Sequence, residues 1–270
     1  MNRSNDAQSF AFGPDLCADW NEASRREWLV TNGIGGYASG TVALANTRRY
    51  HGLLIASARP PVQRLLLVSK LDITALYRNQ RYELFANEFA DGSLSPHGFV
   101  NIERFELQAG LPTWRFALAD ALLEQQIFMA PQSNTTCVAL RLLRAGAPLQ
   151  LELTPLCAYR DHHAHQHGGG NLELHNDAHG CVLGHGNGLA LHLHMDESQF
   201  DPAPDWYWNF RHREEAARGL DEREDLFMPG RFRATLRSQQ TLYFRASALP
   251  AGAAPHAASQ EPTACEAVQS

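Results

Sequence analysis

An all-β fold, an antiparallel β-sandwich, is what this sequence predicts, and three observations carry the prediction. Apolar and polar residues alternate with period two along most of the chain, the pattern of strands with one buried face. The alternating runs are short and are separated by turn residues at the spacing of sandwich strands. Only Asn209 to Leu220 reads as helical, and no internal repeat points to a propeller or solenoid. With 270 residues, 44% of them hydrophobic, the chain can bury a substantial core in one large β domain or two smaller ones.

Taken in order, residues 1–19 are polar and read as an N-terminal extension without the apolar stretch of an export signal. The sandwich is expected over residues 20–247. An apolar run after Glu27, with Trp28 in the core, leads into a glycine-rich turn at Gly33, Gly35 and Gly36, with Gly40 just beyond. Glycine there supplies positive φ or close backbone approach, and Thr41-Val42-Ala43-Leu44 follows as a short buried strand. Further strands are expected at Leu65 to Leu76, Arg81 to Phe85, Val100 to Leu107, Thr113 to Leu118 and Glu124 to Met129. Val138, Leu140 and Leu142 alternate with polar or smaller neighbours, as do Leu149, Leu151 and Leu153, with a turn at Ala145-Gly146-Ala147-Pro148 between them. The last strands are expected at Leu189 to Met195, Phe232 to Leu236 and Leu242 to Arg245. Residues 248–270 are Ala, Pro, Ser and Gln with almost no large apolar side chain, the composition of a disordered tail or linker.

Net charge of -6 gives no global attraction to nucleic acid or to an anionic membrane, so neither is expected as a partner. The cysteines number five, without C-x-x-C spacing, and read as reduced packing thiols of a cytoplasmic protein. Between Glu27 and Asp72 there is no carboxylate, so Arg48, Arg49, Arg59, Arg64 and Lys70, the chain's only lysine, need partners from outside that interval.

Gly33-Ile34-Gly35-Gly36-Tyr37-Ala38 fits G-x-G-x-x-A but is not a dinucleotide fingerprint. No helix former follows it, and the acidic residue that would hold a ribose is missing. Arg160-Asp161-His162-His163-Ala164-His165-Gln166-His167 offers imidazoles and a carboxylate. The Gly168-Gly169-Gly170 that follows marks a mobile, solvated loop, so no metal site is expected. Arg160-Asp161 is either a functional pair or a local ion pair closing the loop. Glycosidic bonds are broken by two carboxylates, and Glu214, Glu215, Glu222, Glu224 and Asp225 supply candidates. Their interleaving with Arg211, Arg213, Arg218 and Arg223 points to an ion-pair network, because a raised pKa needs an apolar pocket. Sugars stack their C–H faces on aromatic rings while planar polar groups take the hydroxyls. Trp206-Tyr207-Trp208-Asn209 and Asn32, Tyr37, Arg49, Tyr50 and His51 have that character, with packing as the competing role.

The pattern E-W-L-x-T-N-G-x-G-G-Y-x-S-G-T from Glu27, then Thr47-Arg48-Arg49-Tyr50-His51-Gly52-Leu53-Leu54, resembles the N-terminal domain of bacterial and archaeal-type glycogen debranching enzymes. The resemblance continues through Pro60-Pro61, Ser69-Lys70-Leu71-Asp72, Pro155-Leu156, Arg160-Asp161-His162, Trp206-Tyr207-Trp208, Glu215, Arg218-Gly219-Leu220-Asp221 and Glu224 to Gly230, over roughly residues 20 to 245. It implies a supersandwich of the kind that precedes the barrel in glucoamylase-like enzymes. It also implies a noncatalytic role, since the family's glucosidase carboxylates lie in a C-terminal barrel of paired helices. The system's chemistry is then α-1,6-glucosidic hydrolysis on an α-glucan such as glycogen, and no cofactor is needed. Candidate contacts to the glycan or the barrel are Asn32, Tyr37, Arg48, Arg49, Tyr50, His51, Arg160, Asp161, Trp206, Tyr207, Trp208, Glu215, Arg218, Glu224 and Asp225. Two alternatives stand beside this reading: an autonomous α-glucan-binding module, and a free-standing hydrolase using the Glu214 to Asp225 carboxylates.

Overall fold

The computed structural model describes residues 10–59, 63–170, 172–184 and 188–251. Pro60, Pro61 and the expected tail from residue 252 onward lie outside them, as does the start of the expected N-terminal extension. The described residues form β1 (Ala11–Phe12), α1 (Pro14–Cys17), α2 (Trp20–Ala23), β2 (Glu27–Thr31), β3 (Tyr37–Thr41), β4 (Gly52–Arg59), β5 (Gln63–Tyr77), β6 (Gln80–Glu83), β7 (Ala86–Glu88) and β8 (Leu94–His97). After a 3-10 turn at Gly98–Asn101 come β9 (Ile102–Gln108), β10 (Leu111–Leu118), β11 (Ala121–Met129), β12 (Thr135–Arg144), β13 (Leu149–Asp161), β14 (Glu173–Asn176), β15 (Gly180–Gly184) and β16 (Leu189–Met195). The chain then runs through β17 (Ser198–Arg211), α3 (Arg213–Ala216), β18 (Arg223–Leu236) and β19 (Thr241–Pro250).

The strands pair antiparallel in two large sheets. One has nine strands in the order β1-β9-β10-β11-β12-β19-β16-β15-β14; the other runs β17-β18-β13-β5-β4-β3-β2, with β6 on the far half of β5. β7 and β8 form a separate hairpin. The turn at Ala145 to Pro148 is a crossing between sheets, because β12 pairs with β11 and β19 whereas β13 pairs with β5 and β18. Inward residues of both sheets share one core, Leu140 and Leu142 meeting the layer of Leu151 and Leu153. At its centre the buried Trp114 of β10 donates its indole N–H to the Val42 carbonyl at 2.9 Å and meets Trp28 of β2 edge-on at 5.6 Å. Aromatic burial of this size dominates a core, and the indole N–H is satisfied inside it.

Several expectations are corrected. The second strand of the glycine motif is Tyr37–Thr41, not Thr41 to Leu44. Thr41 Oγ1 donates to the Ala45 carbonyl at 2.7 Å, and Leu44 takes a left-handed φ of 59°, which closes a turn there. Gly40 therefore lies on a strand, where a Cβ would come within 3.1 Å of the Trp28 ring. Val100 and Asn101 belong to the 3-10 turn. The stretch from Asn209 is not a helix: β17 continues to Arg211 and only Arg213–Ala216 is helical. Asn209 sits at φ 64° with its N–H held by Asp225 Oδ1 at 2.8 Å, and Phe210 bridges to Phe89, so tertiary contacts override local helix propensity. β1 pairs with β9 and Cys17 of α1 is buried, so the sandwich takes in residues before Trp20, and β19 carries it to Pro250. Cys17, Cys157 and Cys181 are free and buried. Cys137 departs from the expected reduced set and is disulfide-bonded.

Lys70, on β5, is buried. Its ammonium donates to the carbonyls of Ala86 at 2.7 Å and Leu44 at 3.3 Å and to Asn87 Oδ1, and pairs with Asp72 Oδ1 at 3.0 Å. Asn87 in turn donates to Asp72 Oδ2 at 3.0 Å, so this buried pair is surrounded by polar partners, as buried charges require.

Candidate functional site

At one end of the eight-stranded sheet three segments converge: the Thr47-to-His51 loop before β4, the loop after β13, and the β17-α3-β18 connection. The outer face of the sheet beside them carries a second apolar cluster, Ile55, Leu66, Leu156, Ala158, Leu226 and Met228, edged by Tyr37 and Tyr207. Glu224 and Arg160 continue the same strand faces, and both are buried.

Two arginine–glutamate pairs hold the segments together. Arg160 takes both oxygens of Glu224, through Nε to Oε1 and through Nη2 to Oε2 at 3.1 Å, and its Nη2 also donates to the Arg49 carbonyl at 2.9 Å. Arg49 Nη2 meets Glu215 Oε2 at 2.9 Å, while its Nη1 donates to the His163 carbonyl at 2.9 Å. Both glutamate side chains are 0% exposed. Burial pushes the Glu224 carboxyl up from its usual range against the pull of Arg160. His212 Nδ1 lies 3.0 Å from His165 Nε2 and its Nε2 lies 3.6 Å from Glu224. Burial, then Arg160, holds the His165 imidazole down at about 4, and burial with the same guanidinium takes His212 well below its ordinary value. Both rings are thus neutral at pH 7, packed among fixed guanidinium charges.

At the rim, Arg48 Nε donates to Glu27 Oε1 at 2.6 Å and its Nη2 lies 3.7 Å from Glu214. His51 Nε2 is 3.4 Å from Glu27, and its Nδ1 accepts the Thr47 N–H at 3.1 Å. The contact with His51, followed by Arg48, holds Glu27 at about 2 against an ordinary 4.5. Because the folded value is depressed, the stabilisation is present above about pH 4.5 and is lost as pH falls toward 2. Between pH 5 and pH 2 the urea midpoint of the native chain is therefore expected to fall more steeply than that of Glu27→Gln; parallel curves would remove this interaction.

The sequence-named residues divide by role. Asn32 is buried and faces inward, its Oδ1 accepting the N–H groups of Ile34 at 3.1 Å and Gly36 at 2.9 Å, its Nδ2 donating to the Ser133 carbonyl at 2.9 Å and to Asn134 Oδ1 at 3.2 Å. It is a turn former, and its polar atoms are spent on the protein. Gly33 and Gly35 sit at positive φ, and a Cβ on Gly36 would come 2.5 Å from Asn32 Nδ2. Tyr37 donates its hydroxyl to the Tyr50 carbonyl at 3.2 Å, and burial raises it to about 12. Arg48, Arg49, Arg160, Glu215 and Glu224 form the ion-pair network, whereas Arg218 is exposed. The network is the one expected of the carboxylates, yet the partners of Glu215 and Glu224 come from distant segments, Arg49 from the loop before β4 and Arg160 from β13, not from neighbouring arginines. Trp206 packs on Phe227 at 5.5 Å, and Trp208, 5.9 Å from Trp206, is 53% exposed with the Gly168 backbone against its ring. A groove of about 460 Å³ runs beside the glycine turn, lined by Leu29, Thr31, Tyr37 and Arg64.

The loop after β13 is solvated as expected at His163, Ala164, His167, Gly169 and Gly170, which are exposed, but it is anchored at two points: His162 is buried, Gln166 N donates to Glu224 Oε1 at 3.3 Å, and the Asp225 N–H is taken by the Gln166 carbonyl at 2.8 Å. Sequence reasoning missed His165, His212 and Glu88 as parts of this assembly. Glu88 accepts from Arg213 Nε at 2.6 Å and Arg211 Nη1 at 3.4 Å and so ties the β7-β8 hairpin to α3. No local pattern marks these residues, because each partner lies in another segment.

No curated protein matches the chain. Among solved structures it is similar to a heparan sulfate lyase HepC mutant from Pedobacter heparinus, at 10% identity and TM-score 0.39 over 67% of this chain and 24% of that one. A bacterial glucoamylase complexed with acarbose matches at 7% identity and TM-score 0.38 over 90% and 34%. A protein assigned as a kojibiose phosphorylase, from the human microbiome, matches at 10% identity and TM-score 0.40 over 97% and 35%. The chain thus spans about a quarter to a third of the length of these structures. Residues 26–243 match the family described as glycogen debranching enzyme N terminal, and the chain belongs to that family.

Proposed function

We propose that this chain is the noncatalytic N-terminal sandwich of a cytoplasmic glycogen-debranching system, where it supports a helical-barrel glucosidase domain and helps position branched α-glucan for α-1,6-glucosidic hydrolysis. The observation that carries this reading is the state of its carboxylates. Glu215 and Glu224 are fully buried and held by Arg49 and Arg160, so neither reaches a substrate as acid or nucleophile. Family membership supports the glucan, and the exposed Trp208 supplies an aromatic face of the kind sugars stack on.

Incubated alone with a limit dextrin, the chain is expected to release no glucose. Titration calorimetry with maltooligosaccharide, on the chain joined to its barrel domain, should show Trp208→Ala weakening binding about tenfold, ~1.4 kcal/mol. Glucose release by the isolated chain that disappears in Glu215→Gln would overturn the noncatalytic assignment in favour of a free-standing hydrolase.

A further inference from the structure

The end of β13 and the first turn of the loop after it carry three consecutive ligand-type side chains. Asp161, His162 and His163 each offer one ligand atom, and these atoms lie within 4.8 Å of one another. Asp161 Oδ1 accepts the His163 N–H at 2.8 Å and stands 3.6 Å from His162 Nδ1. This fold-back brings the two imidazole rings together, with centroids 3.8 Å apart. The His162 side chain is only 9% exposed, and its buried Nδ1 has no hydrogen-bond partner among the described residues.

An orphaned buried polar atom of this kind is destabilising unless something binds it. A metal ion would engage this nitrogen directly through its lone pair. The backbone is also held in place: His162 N donates to the Arg64 carbonyl at 3.2 Å, Ala164 N to the Asp161 carbonyl at 3.0 Å, and the His163 carbonyl accepts from Arg49. The mobility that argued against a metal from sequence is therefore missing at these three residues. Tyr50 stands edge-on to both rings, and its hydroxyl lies 3.1 Å from His163 Nδ1, the kind of outer partner that fixes the orientation of a ligating imidazole.

We propose that Asp161, His162 and His163 bind one divalent transition-metal ion of borderline softness, such as Zn²⁺, through a carboxylate oxygen and two imidazole nitrogens. Two imidazoles and a carboxylate are a donor set suited to Zn²⁺, and three protein ligands leave a coordination position for water. Tetrahedral bonds of about 2.1 Å place ligand atoms roughly 3.4 Å apart, close to the spacing already present between Asp161 and His162. The neighbouring histidines are engaged elsewhere: His165 with His212, and His167 Nε2 with Asp221 at 2.9 Å. The proposal does not rest on the glucan reading.

The test is calorimetric titration of the full chain, stripped with chelator, with Zn²⁺, and with Co²⁺ for its visible spectrum. One equivalent is expected to bind at micromolar metal. Asp161→Asn, which keeps the acceptor for the His163 N–H, and His163→Gln, at an exposed position, should each weaken binding at least about tenfold, and Tyr50→Phe by a similar factor. His167→Gln should leave the affinity unchanged. No binding at millimolar Zn²⁺, binding insensitive to Asp161→Asn and His163→Gln, or binding lost with His167→Gln would each overturn the assignment; circular dichroism checks that every variant is folded.

Discussion

Arg160→Met is expected to cost about 3–5 kcal/mol of folding free energy, the range for breaking a buried ion pair from one side. The cost comes from what the substitution leaves behind. Glu224 would lose the bidentate guanidinium that compensates its charge, keeping only the Gln166 N–H at 3.3 Å and His212 at 3.6 Å, a ring that burial keeps neutral. The Arg49 carbonyl would lose its donor as well, loosening the Thr47-to-His51 loop. Urea unfolding should show the midpoint falling with little change in slope. A double replacement, Arg160→Met with Glu224→Leu, should recover much of the loss, because two apolar groups of similar bulk need no compensation. If the single variant loses under 1 kcal/mol, the pair is not the clamp described above.

Asn32→Ala should follow at about 2–4 kcal/mol, since it strands the N–H groups of Ile34 and Gly36 and the Ser133 carbonyl in a largely buried turn. Asn32→Asp separates hydrogen bonding from size. It keeps the acceptor for both N–H groups but replaces the amide donor with an oxygen facing the Ser133 carbonyl and Asn134 Oδ1. It is therefore expected to be at least as damaging at neutral pH and to improve as acid protonates the carboxylate. Denaturation midpoints of the two variants at pH 7 and pH 4 distinguish this role from a ligand contact, which would leave stability near wild type.

These two residues also show where the sequence is legible. Strands such as Leu149, Leu151 and Leu153 of β13 declare themselves because one side of each sheet is buried and the period of two follows directly. β17 does not, because an edge strand tolerates Pro202, opposite Gly230, and Pro204, inside the register shift that follows. The helical pattern after Asn209 failed because the backbone there is set by Asp225 and Phe89, far away in sequence. At the site, alternating charge correctly implied ion pairs, but which arginine meets which glutamate depends on loop convergence. Arg48 and Lys70 find their partners at the two ends of the carboxylate-free interval, Glu27 and Asp72. Asn32 looked like a sugar ligand because its polarity was visible while its four internal partners were not.

Lys70 has a consequence of another kind. It is the only lysine in the sequence, so the chain's single ε-amine is sealed among the carbonyls of Leu44 and Ala86, Asn87 and Asp72. All other strongly basic side chains are arginines, whose charge neither acylation nor any ordinary pH removes. The positive charge on this surface is consequently permanent. An acyl group found on Lys70 would record that the sandwich had opened, which makes amine labelling of this one residue a native reporter of unfolding.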